Sequence, residues 1–452
     1  MKQRFFFRKT AQKSMICVAV QIVLLLFLIE KSASQNFENL AQLIENQKGK
    51  YNLSELSVAI VSPDSLLYSY GSEAQYQIDK YQEPLVSLAV LRLTNDGLLQ
   101  LDRPLEYYLP WFSLRDKVAA KSVTVRNLLN QTAGFAPECG YEYPKNKAEW
   151  EQFLKHIELK NEPGDEFLAS QLNFALLGFL VAEVSGTTFE NFVATNIFQK
   201  IGMKNTNFEF GQILAPNQFL FGLLKINIAP APNQLNTSAA DLGLFLSCLL
   251  KDGACLSKDT LLKKNLLRQY FTPKYAHYSM GWKLSGRNGG NFFQYQHFGK
   301  SDAAFLGLLP EQKLAIVLIS NTNTVTACPE IAENILNFIE KKPHNSFFLK
   351  EFYVRISILL LFLWTFIEFW GRLKLWQRYE FKIKIRFKFR IIFGLFVGLL
   401  INILFLYLVP LFIAVPIHAL IEWQPDMGYA LVVGAGLGIL SAFILAFVRS
   451  NS

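Results

Sequence analysis

Three short groups of residues have the types and spacing to do chemistry. Lys80 and Glu83 stand three residues apart at the head of an apolar stretch, residues 76–102. On a helix, an amine and a carboxylate at that spacing can pair, for about 0.3 kcal/mol. A desolvated lysine can act as a nucleophile, but a carboxylate beside it favours the charged, non-nucleophilic form. A lysine at a helix N-terminus also opposes the helix dipole, which Glu83 suits. In the second group, Ser170 lies between Ala169 and Gln171, with no base in the motif. A lone serine so placed reads as a loop hydrogen-bonder. The third group is His297-Phe298-Gly299, followed by Lys300 and Ser301. An imidazole at a strand end can bind a ligand or simply hold the strand.

These groups need a frame, and the apolar patterning outlines one. Leu85, Leu88, Ala89, Leu91 and Leu93 make a wide apolar helix face, and Gly97 stands where a helix end takes a left-handed residue. Residues 56–62 and 66–70 read as strands joined at Pro63-Asp64, a hairpin signal. Residues 36–55, 150–158, 174–186, 189–200 and 328–339 read as helices, and Thr237 or Ser238 can cap another. Residues 278–282 begin the closing strands. Residues 297–309 and 313–320 alternate and meet at Pro310-Glu311-Gln312, which predicts an antiparallel pair.

Several of these stretches resemble one family. Residues 76–102 align without gaps on the motif helix of the serine β-lactamases and penicillin-binding proteins, in the class C β-lactamase and esterase branch. The stretch from Ser122 to Phe135, with Gln131 and Ala133 substituted, resembles that family's Thr-Ile-Arg-x-Leu-Leu-x-His-Thr-Ser-Gly helix and loop. Ile201-Gly202-Met203 and Thr237-Ser238-Ala239-Ala240-Asp241-Leu242 resemble two further connections. The resemblance covers about residues 40–340. It implies an α+β (α/β sandwich) fold: an antiparallel sheet flanked by helices, with a second, all-helical lobe.

The resemblance also implies a serine hydrolase site with a Ser-x-x-Lys motif, a Tyr-x-Asn loop and a Lys-Thr-Gly or His-x-Gly strand. Carried onto this chain, Lys80 stands in the serine position and Glu83 in the lysine position. Ala169 and Gln171 take the places of tyrosine and asparagine. His297 and Gly299 keep the strand motif. No Ser-x-x-Lys occurs anywhere in the 452 residues. Two of three motifs are lost, and both losses strike proton transfer. Packing and turn positions such as Leu128, Gly134, Gly164 and Gly281 remain. The expectation is therefore a pseudoenzyme whose cleft persists and binds a cell-wall peptide or a membrane-protein partner. The alternative is an active serine hydrolase of β-lactamase, D,D-peptidase or esterase type, with a relocated nucleophile such as Ser170 or Ser301. No cofactor or metal is expected.

The net charge of +9 is concentrated in two places. Five Lys/Arg lie in residues 1–13 and eight in residues 372–390. The charge is thus a topology signal and makes no case for nucleic acid. Residues 1–34 combine a basic start, an apolar run and small residues, which predicts an export signal or signal anchor. Residues 36–343 are then an exported domain and residues 344–452 a membrane domain. Residues 352–370, 391–420 and 429–448 are each long enough to span a bilayer, with Pro410 and Pro416 as kinks in the second. The basic loop 372–390 should be cytoplasmic, placing the large domain outside the plasma (inner) membrane, in the periplasm where there is one. Gly434 and Gly438 form a small-residue pattern that predicts close packing within the chain. Cys139, Cys248, Cys255 and Cys328 match no metal framework and read as isolated thiols.

Overall fold

The computed structural model describes residues 39–71, 74–78, 82–136, 144, 146–208, 215–219, 224–228, 235–255, 260–275, 277–298, 302–321, 327–342, parts of 362–374, and 425–450. The chain divides into two units, Asn52–Ala332 and Met1–Tyr51 with Glu333–Ser452.

The first unit is built on a seven-stranded antiparallel sheet. Its strands are β1 (Leu56–Val61), β2 (Leu66–Tyr70), β7 (Tyr278–Ser279), β8 (Trp282–Arg287), β9 (Gly290–Phe298), β10 (Ala303–Leu309) and β11 (Leu314–Ser320). Two short ribbons pair β3 (Gln75–Ile78) with β6 (Leu235–Ser238), and β4 (Ala215–Phe219) with β5 (Leu224–Ile228). The order across the large sheet is β2-β1-β11-β10-β9-β8-β7. Every residue of β1 and β10 is buried, as apolar runs in central strands require. Four helices matter for the site: α1 (Glu83–Asn95), α2 (Val125–Leu129), α3 (Gln171–Ser185) and α4 (Ala239–Leu250). Helix α4 lies across β1 and β11, while α1 packs on α3. Gly243 lets α4 come down on the sheet, since a Cβ there would stand 3.0 Å from Val61. One apolar cluster joins these elements, from Ala59 on β1 through α1 and α3 to Ile319 on β11.

The expected hairpin, the motif helix, the closing strands and the left-handed glycine are all present. Gly97 has φ +78, and Leu98 N donates to Leu93 O at 3.0 Å. Two boundaries differ. Helix α1 begins only at Glu83, with Pro84 in its first turn, so the regular helix starts three residues after Lys80. The alternation read as one strand over 297–309 belongs to two strands: His297 ends β9 and lies opposite Ala304 on β10. Both strands have period two, so a reversal between them leaves the alternation unbroken. Residues 299–301, which follow β9, lie outside the described residues. The β8–β9 hairpin was not anticipated, although Asn288-Gly289 marks it with φ +50 and +79.

The second unit, described by itself, includes helix Leu40–Lys50, capped by Asn39, which accepts from Gln42 N at 2.8 Å. It also contains helical residues within 362–374 and the helix Pro425–Ser450. A Cβ on Gly434 would stand 3.6 Å from Phe362 Cα, so these two helical stretches pack closely at that glycine. Among the described residues no single helix is long and apolar enough to cross a membrane, and Tyr429–Ile444 is a shorter apolar helix. One bent pair, Gln171–Ser185 with Phe189–Ile201 at 77°, passes that test in combination, but it forms part of the first unit's buried core. The export segment, most of the basic loop and the 391–420 segment with its two prolines lie outside the described residues.

Candidate functional site

The site is organised by the N-terminus of α1. Tyr270 Oη donates to Pro84 O at 2.6 Å, anchoring the first turn. On the other side Gly281, with φ +95, lies flush against the turn: a Cβ there would be 2.6 Å from Glu83 C. Helix α1 therefore presents Glu83 at a fixed place. The residue keeps some accessible surface, but its carboxyl lies deep among packed atoms. Tyr278 Oη donates to Glu83 Oε2 at 2.7 Å, and Gln131 Nε2 donates to Oε1 at 3.3 Å. Burial pushes the Glu83 carboxyl up to about 7, against the pull of these two hydrogen bonds. The Tyr278 phenol is pushed well above its ordinary range, first by burial and then by the carboxylate beside it.

Gln131 is the hub behind Glu83. It sits just after α2 with φ +58, and its main-chain O accepts from Leu168 N at 2.8 Å. Its Oε1 accepts from Ser170 N at 3.0 Å and Asn173 Nδ2 at 2.5 Å. The chain Tyr278–Glu83–Gln131–Asn173 thus links the sheet edge, α1, the loop after α2 and the start of α3. A lysine in the Glu83 position would need acceptors around it. Here the phenol and the carboxamide both donate to the acid, although each also carries an oxygen that could accept from an ammonium.

The expected site residues are distributed as follows. Lys80 and Gly299 lie outside the described residues, as do Ser301 and the expected Lys80–Glu83 pair. Ala169 and Gln171 are exposed at the start of α3. Ser170 is only 2% exposed, and its Oγ has no hydrogen-bond partner among the described residues. His297 Nε2 lies 2.6 Å from Asp302 Oδ2; Asp302 is buried, and only about a tenth of either side chain is exposed. Cys248, Cys255 and Cys328 are buried free thiols, and Cys139 lies outside the described residues. Among the described residues no group of His, Cys, Asp and Glu could hold a metal ion. A small apolar cavity behind the α1 start is lined by Ile78, Leu85, Phe198, Phe245 and Leu306 among others, and Glu83 does not line it. Tyr278, Gln131 and Asn173 were missed as site residues. The available signal was Gln131 itself, a donor substituted near an acid substituted for a base.

The family is settled by a match to the beta-lactamase family model over residues 84–336, more than half of the chain. The chain belongs to the beta-lactamase family. Protein flp of Staphylococcus aureus (strain MW2) is 23% identical over 325 residues, which cover 65% of this chain and 64% of flp. This family member therefore spans less than two thirds of that relative's length. The putative penicillin-binding protein PbpX of Bacillus subtilis (strain 168) is 26% identical over 199 residues, 40% of this chain and 49% of PbpX. Among solved structures, the octameric penicillin-binding protein homologue from Pyrococcus abyssi superposes with TM-score 0.58 at 19% identity, covering 67% of this chain and 77% of that one. The β-lactamase/D-alanine carboxypeptidase from Pseudomonas syringae gives 0.56 at 15% identity, covering 66% of this chain and 98% of that one. At these identities the structures establish a shared α+β fold.

Proposed function

We propose that this beta-lactamase family member, closest in motif to the class C and esterase branch, is a membrane-anchored pseudoenzyme. Its former active-site cleft binds a cell-wall peptide or a membrane-protein partner outside the cell. The observation that carries this reading is Glu83 in the lysine position, satisfied by Tyr278 and Gln131. With Lys80 in the serine position there is no hydroxyl at the helix start for Glu83 to deprotonate, and Ala169 offers no second proton-transfer group. A fluorescent penicillin and a fluorophosphonate should therefore leave the full chain unlabelled, with intact mass unchanged after long incubation. A stable adduct would overturn this, and its position would name the nucleophile. The His297–Asp302 pair favours the second reading, a hydrolase with a relocated nucleophile, because a carboxylate-oriented imidazole is a competent base. The same labelling experiment separates the two.

Membrane anchoring rests on the apolar segments and on the eight Lys/Arg of residues 372–390. The apolar surface of Leu363, Phe366, Ile367 and Trp370, each more than a third exposed, suits a lipid-facing helix. With loop 372–390 cytoplasmic, a cysteine introduced near Tyr379 should resist an impermeant maleimide in intact cells and react after permeabilisation. Labelling in intact cells would show the topology to be reversed.

A further inference from the structure

We infer that the C-terminal end of helical residues 362–374, with the basic run that follows it, is a binding surface for anionic phospholipid headgroups. This rests on the membrane-anchored reading, to which it adds a lipid class, and it is independent of what the cleft binds.

Three observations combine. First, one side of the helical stretch carries rings and then a cation, at steps of four residues: Phe362, Phe366, Trp370 and Lys374. The Phe362 and Phe366 rings stack at 6.4 Å and the Phe366 and Trp370 rings at 6.3 Å. Lys374 Nζ stands 5.9 Å from the centre of the Trp370 ring. Phe366 and Trp370 are 46% and 51% exposed, and Ile367 beside them is 67% exposed. Phenyl rings, then an indole, then an ammonium follow the order in which a bilayer passes from hydrocarbon through its interface to headgroup phosphate. That order sets the hydrocarbon boundary at Trp370 and brings the Lys374 ammonium to the level of the phosphates. Second, the charge around and beyond Lys374 has one dominant sign: residues 372–390 hold eight Lys/Arg against one acid, Glu380. Third, the end of that run alternates without a break, as Phe381-Lys-Ile-Lys-Ile-Arg-Phe-Lys-Phe-Arg390. Cations take every even position and Phe or Ile every odd one. In an extended chain successive side chains point to opposite sides, so such a pattern complements a surface that offers acyl chains to one side and anions to the other. An acidic soluble protein would complement the cations and leave the apolar positions unused. The sequence also holds the run at the bilayer from both ends, since it follows the apolar 352–370 stretch and leads directly into the apolar 391–420 stretch. Phosphate diesters are thereby kept at high effective concentration around ammonium and guanidinium groups that pair with them.

The test uses the full chain reconstituted in nanodiscs, which expose both bilayer faces, so the orientation of the chain has no effect. Spin-labelled phosphatidylglycerol and phosphatidylcholine are compared by the motionally restricted part of the EPR spectrum, which reports lipid held against the protein. At about 0.1 M NaCl the anionic lipid should be favoured by at least about threefold, and the ratio should fall towards one at about 1 M, where charges are screened within about 3 Å. Replacing Lys382, Lys384, Arg386, Lys388 and Arg390 by Gln should remove most of the preference, and Lys374→Gln part of it. Lys382→Arg with Lys388→Arg should leave it intact. The salt titration needs no variant, so it decides the matter even where the five-fold variant does not fold. A ratio of one in the native chain, a ratio indifferent to salt, or a preference kept by the five-fold variant would each overturn the surface, while anchoring would stand as long as the chain enters the nanodisc. A chain that enters no bilayer sinks the anchoring and the surface together. Glycerol 3-phosphate should compete no better than NaCl of the same ionic strength. Stronger competition would mean a site for free phosphate esters and would overturn the lipid assignment. A lipid ratio of one together with capture of polyglutamate would assign the run to an acidic protein instead.

Discussion

At pH 8 the Glu83→Gln variant should melt at a higher temperature than the native chain, and the two should converge towards pH 5. The sign follows from the raised carboxyl. An unfolded glutamate ionises near 4.5, while the folded Glu83 holds its proton to about 7. Between those values the folded state binds more protons, so stability is highest in acid and falls as pH rises through the window. Above it the folded state carries an ionised carboxylate among packed atoms, a loss on the order of 3 kcal/mol at most, reduced by the surface Glu83 retains. For a domain of this size that corresponds to roughly 5–10 °C in melting temperature. Glutamine escapes the loss while keeping the contacts, since its Oε1 can accept from Gln131 and its Nε2 can donate to Tyr278 Oη. Other acids titrate over the same range, so the measured quantity is the difference between variant and native melting curves from pH 5 to 8. A difference that does not change with pH would mean that a cation already compensates Glu83, and Lys80 would be the first to examine.

Much of the frame was legible from local patterning. Leu85, Leu88 and Leu91 face one way at helical spacing, Gly97 marks the helix end, and Pro63-Asp64 marks the first hairpin. Each is a short-range signal that tertiary packing does not reverse. The missed features depend on distance. Tyr278 lies 195 residues from Glu83, and nothing in its own neighbourhood announces that its hydroxyl meets a carboxyl. Gln131 was visible as a substitution, but its role as a hub needs Ser170 N and Asn173 Nδ2 brought to it by α3. The strand boundary at His297 was misplaced because period two survives a reversal, whereas the His297–Asp302 contact exists only because of that reversal. The motif positions were placed by resemblance, but their chemistry was not. An acid for a lysine appears in sequence as a loss, and only the fold shows donors gathered around it.

Gly281→Ala should be among the most damaging single-methyl changes in this domain, costing about 2–4 kcal/mol. Two effects add. At φ +95 an L side chain is strained whatever surrounds it, and the new Cβ would sit 2.6 Å from Glu83 C and 2.7 Å from Pro84 N. Those are main-chain atoms of the first turn of α1, so no rotamer change can relieve the contact. Either the β7–β8 turn or the helix start must move. Gly97→Ala isolates the first effect, because Gly97 has φ +78 but nothing within 4 Å of an added Cβ. It should cost only about 1–2 kcal/mol. Thermal melts at a single pH should rank the variants in that order. The site provides a second readout. Displacing the α1 start from the turn lengthens the 2.7 Å bond between Tyr278 and Glu83. That bond favours the ionised carboxyl, so Gly281→Ala should shift the pH window of the Glu83 effect upward, while Gly97→Ala leaves it in place. Equal melting temperatures for the two variants would show that the turn yields freely, and Gly281 would then have no part in fixing Glu83.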